Sequence, residues 1–241
     1  MMSQQFTLLT SRRSYEFWSD QLRLTMLSIP QVMQIIQQAF HFQVAVVGTP
    51  LATFGSIPVT SPPGVAFDAG AWLKVEGQIV PIRFIHFEPR RIVIDVAGAS
   101  PVIDAIYEHL IHILSGIHAP DGLPAVGKPH DVLNYSEISA HFSFSLGDLF
   151  APPVRELFRQ AVAVQDDREH IILLPTVYLK SQSPLEEASG SSVPDSRTLA
   201  LSVRAGTLVK DQMYFSTAPL DSATHIAYLM KLESALIVGK A

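Results

Sequence analysis

The sequence predicts an α+β protein of two similar halves. Each half runs strand, helix, strands, helix, with a mainly antiparallel sheet and its helices packed on one sheet face. Three observations carry this. Short alternating apolar segments recur between helical apolar stripes in both halves. Prolines suited to the first turn of a helix recur at steady offsets: Pro30 and Pro152 are 122 residues apart, Pro101 and Pro219 are 118 apart. A long loop follows the second strand of each half, beginning near 48 and near 181.

The elements follow in order. Leu22 to Leu27 alternates and reads as a strand. Ser28 can cap the helix that Pro30 opens, and Val32, Ile35, Ile36 and Ala39 place that helix over about 30–40. Phe42 to Val47 is a short apolar strand. Val65 to Val75, Ile79 to Phe87 and Arg91 to Ala97 are strands separated by turns at Glu76-Gly77-Gln78 and Glu88-Pro89-Arg90. Ser100-Pro101 opens a helix whose apolar face holds Ile103, Ile106, Leu110, Ile113, Leu114 and Ile117. Residues 118–134, rich in proline and glycine, form the linker between an N-terminal half (1–117) and a C-terminal half (135–241). The two halves can share one compact pseudo-symmetric domain.

In the second half, Ile138 to Leu146 alternates as a strand and Pro152-Pro153 starts a helix. His170 to Lys180, Thr198 to Arg204 and Met213 to Phe215 are strands, and Ala218-Pro219 opens a last helix to about Leu236. Residue identity between the halves is negligible, so the repeat is one of pattern; duplication and chance alternation both remain open.

The hairpin around Pro89 admits two registers. A three-residue loop, Pro89 to Arg91, puts Ile82, Phe84 and His86 on one side with Ile92, Ile94 and Val96. Arg83, Ile85, Phe87, Val93 and Asp95 then share the other side, with Arg83 and Asp95 near enough to pair. A two-residue loop would mix the faces and set Asp95 opposite Phe84. The first register is the expected one. Its second face is half apolar, which makes Ile85, Phe87 and Val93 candidate contacts for another half or subunit.

Composition points the same way. Hydrophobic residues make up 48% of the chain and charged residues 16%. That charged share is below the roughly 25% usual for soluble domains, so some apolar surface is expected to meet another chain, most simply a second copy. The loop Gly48 to Gly64 holds Leu51, Phe54, Ile57 and Val59 and no charge. Such a loop either packs on its own core, the commoner outcome, or forms a dimer contact or binding lip.

Chemistry-bearing motifs are scarce. The chain has no cysteine, which excludes disulfides, thiolate metal sites and cysteine nucleophiles. His109 and His112 lie three apart on a helix with His118 beyond its end, but off the apolar stripe, so a solvated face is the better reading. His86 is expected on the core face of its strand, bonded to backbone, and His141 on a solvent face. No serine-nucleophile, phosphate-cradle, zinc-protease or calcium-loop pattern occurs. Ser189 to Ser192 and the pairs Asp166-Asp167 and Glu186-Glu187 read as polar spacer and solvating charge. Net charge is −5, which argues against a nucleic-acid partner. No apolar run is long enough for a signal peptide or a membrane span.

The expectation is therefore a cytoplasmic, non-enzymatic interaction or assembly component, adaptor- or chaperone-like, that binds itself as a homodimer or binds another protein. It needs no cofactor, no metal and no membrane. The alternative is a small-molecule binding protein or enzyme with a site in the cleft between the halves.

Overall fold

Most of the alternating segments become strands in a computed structural model of the chain. The described residues are 6–48, 64–73, 77–144, 146–150, 152–154, 156, 176–180, 198–207 and 211–238. The strands are β1 (Phe6–Glu16), β2 (Val44–Gly48), β3 (Gly64–Leu73), β4 (Ile79–Glu88), β5 (Arg91–Val96), β6 (Asp131–His141), β7 (Thr176–Lys180), β8 (Thr198–Val203) and β9 (Met213–Ala218). The described α-helices of more than three residues are α1 (Leu24–Leu27), α2 (Pro30–Ala39), α3 (Ser100–Leu114) and α4 (Ser222–Val238), with a 3-10 turn at Leu146–Leu149.

The protein is thus α+β, but its strands join one sheet rather than a sheet in each half. The order is β2-β3-β4-β5-β1-β6-β9-β8-β7. The chain divides into two compact units, Thr10–Ser136 and Met1–Leu9 with Glu137–Ala241, so that β1 and β6 each contribute residues to both. No helix among the described residues is long and apolar enough to cross a membrane.

In the first unit, one sheet face packs against α2 and α3. Val32, Ile36, Ile103, Ile106, Leu110 and Leu114 meet Val65, Phe67, Val80, Ile82, Ile85, Phe87, Ile92, Ile94 and Val96, all buried. The helices start at Pro30 and at Ser100-Pro101, where the prolines put them. Ser28 does not cap α2; its hydroxyl donates to the Thr25 carbonyl, and Ile29 holds the cap position.

Leu22 to Leu27 is not a strand. Arg23 N–H donates to the Ala125 carbonyl, Leu22 makes a single bridge to Val126, and the chain then coils so that Leu27 N–H reaches the Arg23 carbonyl and Leu27 is fully buried. The strand that opens the fold is instead β1, within a segment whose sequence gave no strand signal. The linker ends earlier than expected, since Asp131 already begins β6, and that strand ends at His141.

The β4–β5 hairpin takes the two-residue loop. Glu88 pairs with Arg91, Phe87 with Ile92, Ile85 with Ile94 and Phe84 with Asp95. A bulge then inserts one extra residue, Arg83, so that Ile82 pairs with Val96. The bulge reverses the phase of β4. Ile85 and Phe87 on one side of it, and Ile82 and Val80 on the other, all turn toward the helices. Mixed faces in the sequence become a single apolar face in the fold. On β3, Ala69 lies beside the same irregularity with φ of 55°.

In the second unit, Ile138, Ala140, Phe142, Phe144 and Leu146 are buried with Leu201, Tyr214 and Leu229. The last helix begins at Ser222, not at Pro219. Asp221 supplies the cap: its carboxylate accepts from the N–H groups of Ala223 and Thr224 at 3.1 and 3.0 Å. Residues 152–154 are helical, as the proline pair suggests. The expected remainder of that helix, and the polar loop 181–197, lie outside the described residues.

Candidate functional site on an outer strand of the first unit

Between Arg23 and Asp68 the chain contains no Asp, Glu, Lys or Arg. The described residues of this stretch include α1, α2, β2 and the start of β3. Its apolar side is anchored. Phe40 and Phe42 are buried where α2 turns into β2, and the Phe42 ring lies 5.4 Å from that of Phe67. Phe42 sits over Gly70, where a Cβ would come within 2.5 Å of its ring and 2.9 Å of the Phe40 carbonyl oxygen. Only glycine admits so close an approach.

The outward side carries no charge. On α2 it presents Gln31, Gln34, Ile35 and Gln38, all exposed. On β2, Val44 and Val46, on the face opposite the helices, are 45% and 50% exposed, and Val47, on the helix side beside Val65, is 52% exposed. β2 is the outermost strand: it pairs with β3 on one edge, and no described strand pairs with the other. Outer strands are usually blunted by charge, proline or a covering element. β2 has no charged residue and no proline.

The face opposite the helices continues from β2 inward. Val44, Asp68, Phe84, Asp95 and Arg12 lie in one row across five strands, and Val46, Ala66, His86, Val93 and Ser14 in the next. The first row is tied together by charge. Asp95 is fully buried; Arg12 Nε and Nη2 each lie 2.8 Å from its Oδ2, Thr10 Oγ1 donates to Oδ1 at 2.6 Å, and Arg83 Nε lies 3.8 Å away. The expected Arg83–Asp95 pair therefore forms, in the other register. The Arg12 guanidinium lies 5.2 Å from the ring centres of both Phe84 and Tyr135. His86 stands on this face rather than in the core; Asp68 Oδ1 is 3.0 Å from its Nε2, and its ring stacks on Phe84. These pairs satisfy one another. They form a positioned platform, not a set converging on a reacting atom.

Of the expected contact residues, Ile85 and Phe87 lie in the helix-side core with no exposure, because the bulge turns them there. Val93 is on the opposite face, 8% exposed beneath its neighbours. Leu51, Phe54, Ile57 and Val59 lie outside the described residues. Val44, Val46 and Val47 carried a strand signal in the sequence but no signal of outer position.

Elsewhere, His109, His112, His118 and His141 are exposed. Among the described residues no three His, Asp or Glu side chains gather as a metal site. A shallow groove lined by Leu22, Arg23, Met26, Pro89 and Ala119 has its guanidinium paired with Asp121 at 2.6 Å. In the second unit, His225 Nε2 lies 2.8 Å from Ser216 Oγ, which is 3.1 Å from the Ala200 carbonyl oxygen. A neutral ring donating from Nε2 lets the serine hydroxyl donate onward to Ala200. Both residues are fully buried, and this serine–histidine pair ties α4 to β9. Burial drives the His225 pKa down to about 4.

No family model matches the chain, and no curated protein matches it either.

Proposed function

We propose that this protein is a non-enzymatic interaction or assembly component that associates with itself through the α2–β2 surface. The observation that carries this is the charge-free stretch between Arg23 and Asp68, folded so that Ile35, Val44, Val46 and Val47 stand exposed. Exposed apolar groups rimmed by neutral polar ones desolvate at little penalty, and the same groups on a monomer's surface invite association. The satisfied polar pairs on the neighbouring face support a binding platform better than a catalytic centre.

We also read the chain as a repeated pattern. In the first unit the opening strand β1 lies beside β5, and α3 follows β5; in the second, β6 lies beside β9, and α4 follows β9. Light scattering on eluted protein across a concentration series tests the functional reading. The mass should rise from that of one chain toward two. A single-chain mass at every concentration would contradict it.

A further inference from the structure

We infer that the partner on β2 is the β2 of a second copy, paired antiparallel about a twofold axis at Val46. This rests on the self-association proposed above and adds its geometry. An outer antiparallel strand turns alternate N–H and C=O groups to its free edge, ready to extend a ladder. Two observations select a second copy as the occupant.

The first is charge. Every residue from Leu24 to Phe67 is neutral apart from the titratable His41, so β2 meets itself with no like charges opposed. The outermost described strand of the second unit differs. β7 exposes Tyr178 and Leu179, 66% and 43%, but ends in Lys180, the residue type that discourages edge pairing.

The second is pattern. Antiparallel pairing about Val46 sets Val46 opposite Val46 of the second copy, Val44 opposite Gly48, and Ala45 opposite Val47. Every pair is apolar, and none brings two large side chains together except the central valines. Five residues of ladder cover too little area for a stable dimer, which needs about 1,200 Å² in total. α2 packs against β2, so its uncharged residues adjoin the proposed ladder and are the nearest surface that could enlarge the contact.

The absence of native cysteine makes the test direct. Val46→Cys, mildly oxidised at micromolar concentration, should convert most of the protein to a disulfide-linked dimer, at least tenfold faster than Tyr178→Cys. Cysteine replaces a half-exposed side chain, and an unchanged urea midpoint under reducing conditions confirms the fold. If the wild type is a dimer but Val46→Cys links no faster than Tyr178→Cys, β2 self-pairing is overturned and self-association stands. If the wild type is monomeric throughout, both are overturned. A ladder of higher oligomers would mean β2 pairing with β7 of another copy, and would also overturn the twofold.

Discussion

Asp95 and Arg12 stand directly opposite each other on β5 and β1, with the carboxylate fully buried and the guanidinium about one-third exposed. The two halves of this pair are not equivalent. Removing Arg12 leaves a sealed carboxylate with Thr10 and the longer contact, 3.8 Å, to a half-exposed Arg83. Neutralising Asp95 leaves an arginine that can still turn to water. Arg12→Ala should therefore cost about 3–5 kcal/mol and Asp95→Asn about 1–2. Urea unfolding at neutral pH reads both, and the reverse ranking would refute the assignment.

Tyr15 stacks on Tyr107 with ring centres 3.7 Å apart, and its hydroxyl has no hydrogen-bond partner among the described residues. Burial pushes the Tyr15 pKa up to about 12. A buried unpaired hydroxyl costs roughly 1–3 kcal/mol. Tyr15→Phe keeps the ring contact and should hold or raise stability by up to about 1 kcal/mol, where most core substitutions lower it. Thermal unfolding decides this, and a clear loss would mean that the hydroxyl is satisfied.

Two adjacent residues on β3 should respond in opposite directions. Ala69 has φ of 55°, a region that penalises a Cβ, so Ala69→Gly should stabilise by about 0.5–1 kcal/mol. Gly70→Ala would drive a Cβ into Phe42 and should destabilise by about 1–3 kcal/mol. Equal shifts in melting temperature from the two would contradict the described path of the bulge.

His225 gives a pH dependence. Its folded pKa, about 4, lies below the usual 6.5 because burial disfavours the charged ring. Between those values the unfolded chain binds more protons. The contribution is therefore complete above pH 6.5 and is lost as pH falls toward 4, with a span of roughly 3 kcal/mol. His225→Gln should be less stable at pH 7 yet show a flatter decline between pH 6.5 and 4. An identical slope in the two proteins would remove His225 as the cause.

Much of this architecture was legible from local pattern. Pro30 and Ser100-Pro101 marked helix starts because proline suits a first turn, and the stripe from Ile103 to Leu114 had nowhere to go but a core. β1 was hidden because Thr10, Ser11, Arg12 and Arg13 break apolar alternation. They are tolerated because Thr10 and Arg12 bind Asp95, while Arg13 pairs with Asp104 on the helix side. That compensation lies some eighty to ninety residues away and leaves no local trace. The hairpin register escapes the local pattern for a similar reason: the bulge at Arg83 repairs an alternation that the sequence alone leaves mixed. The candidate site was half legible. The neutral composition was visible, but that β2 lies outermost depends on strand order, which periodicity does not encode.

The central claim is that the neutral α2–β2 surface joins two copies, and sedimentation equilibrium of the wild type beside Val46→Lys tests it most directly. The substitution sets two like charges at the proposed axis while leaving the buried side of β2 unchanged. The wild type should fit a monomer–dimer equilibrium, and Val46→Lys should weaken it at least tenfold, with the two melting temperatures converging at dilutions where both proteins are monomeric. Equal association constants for the two proteins would contradict the claim.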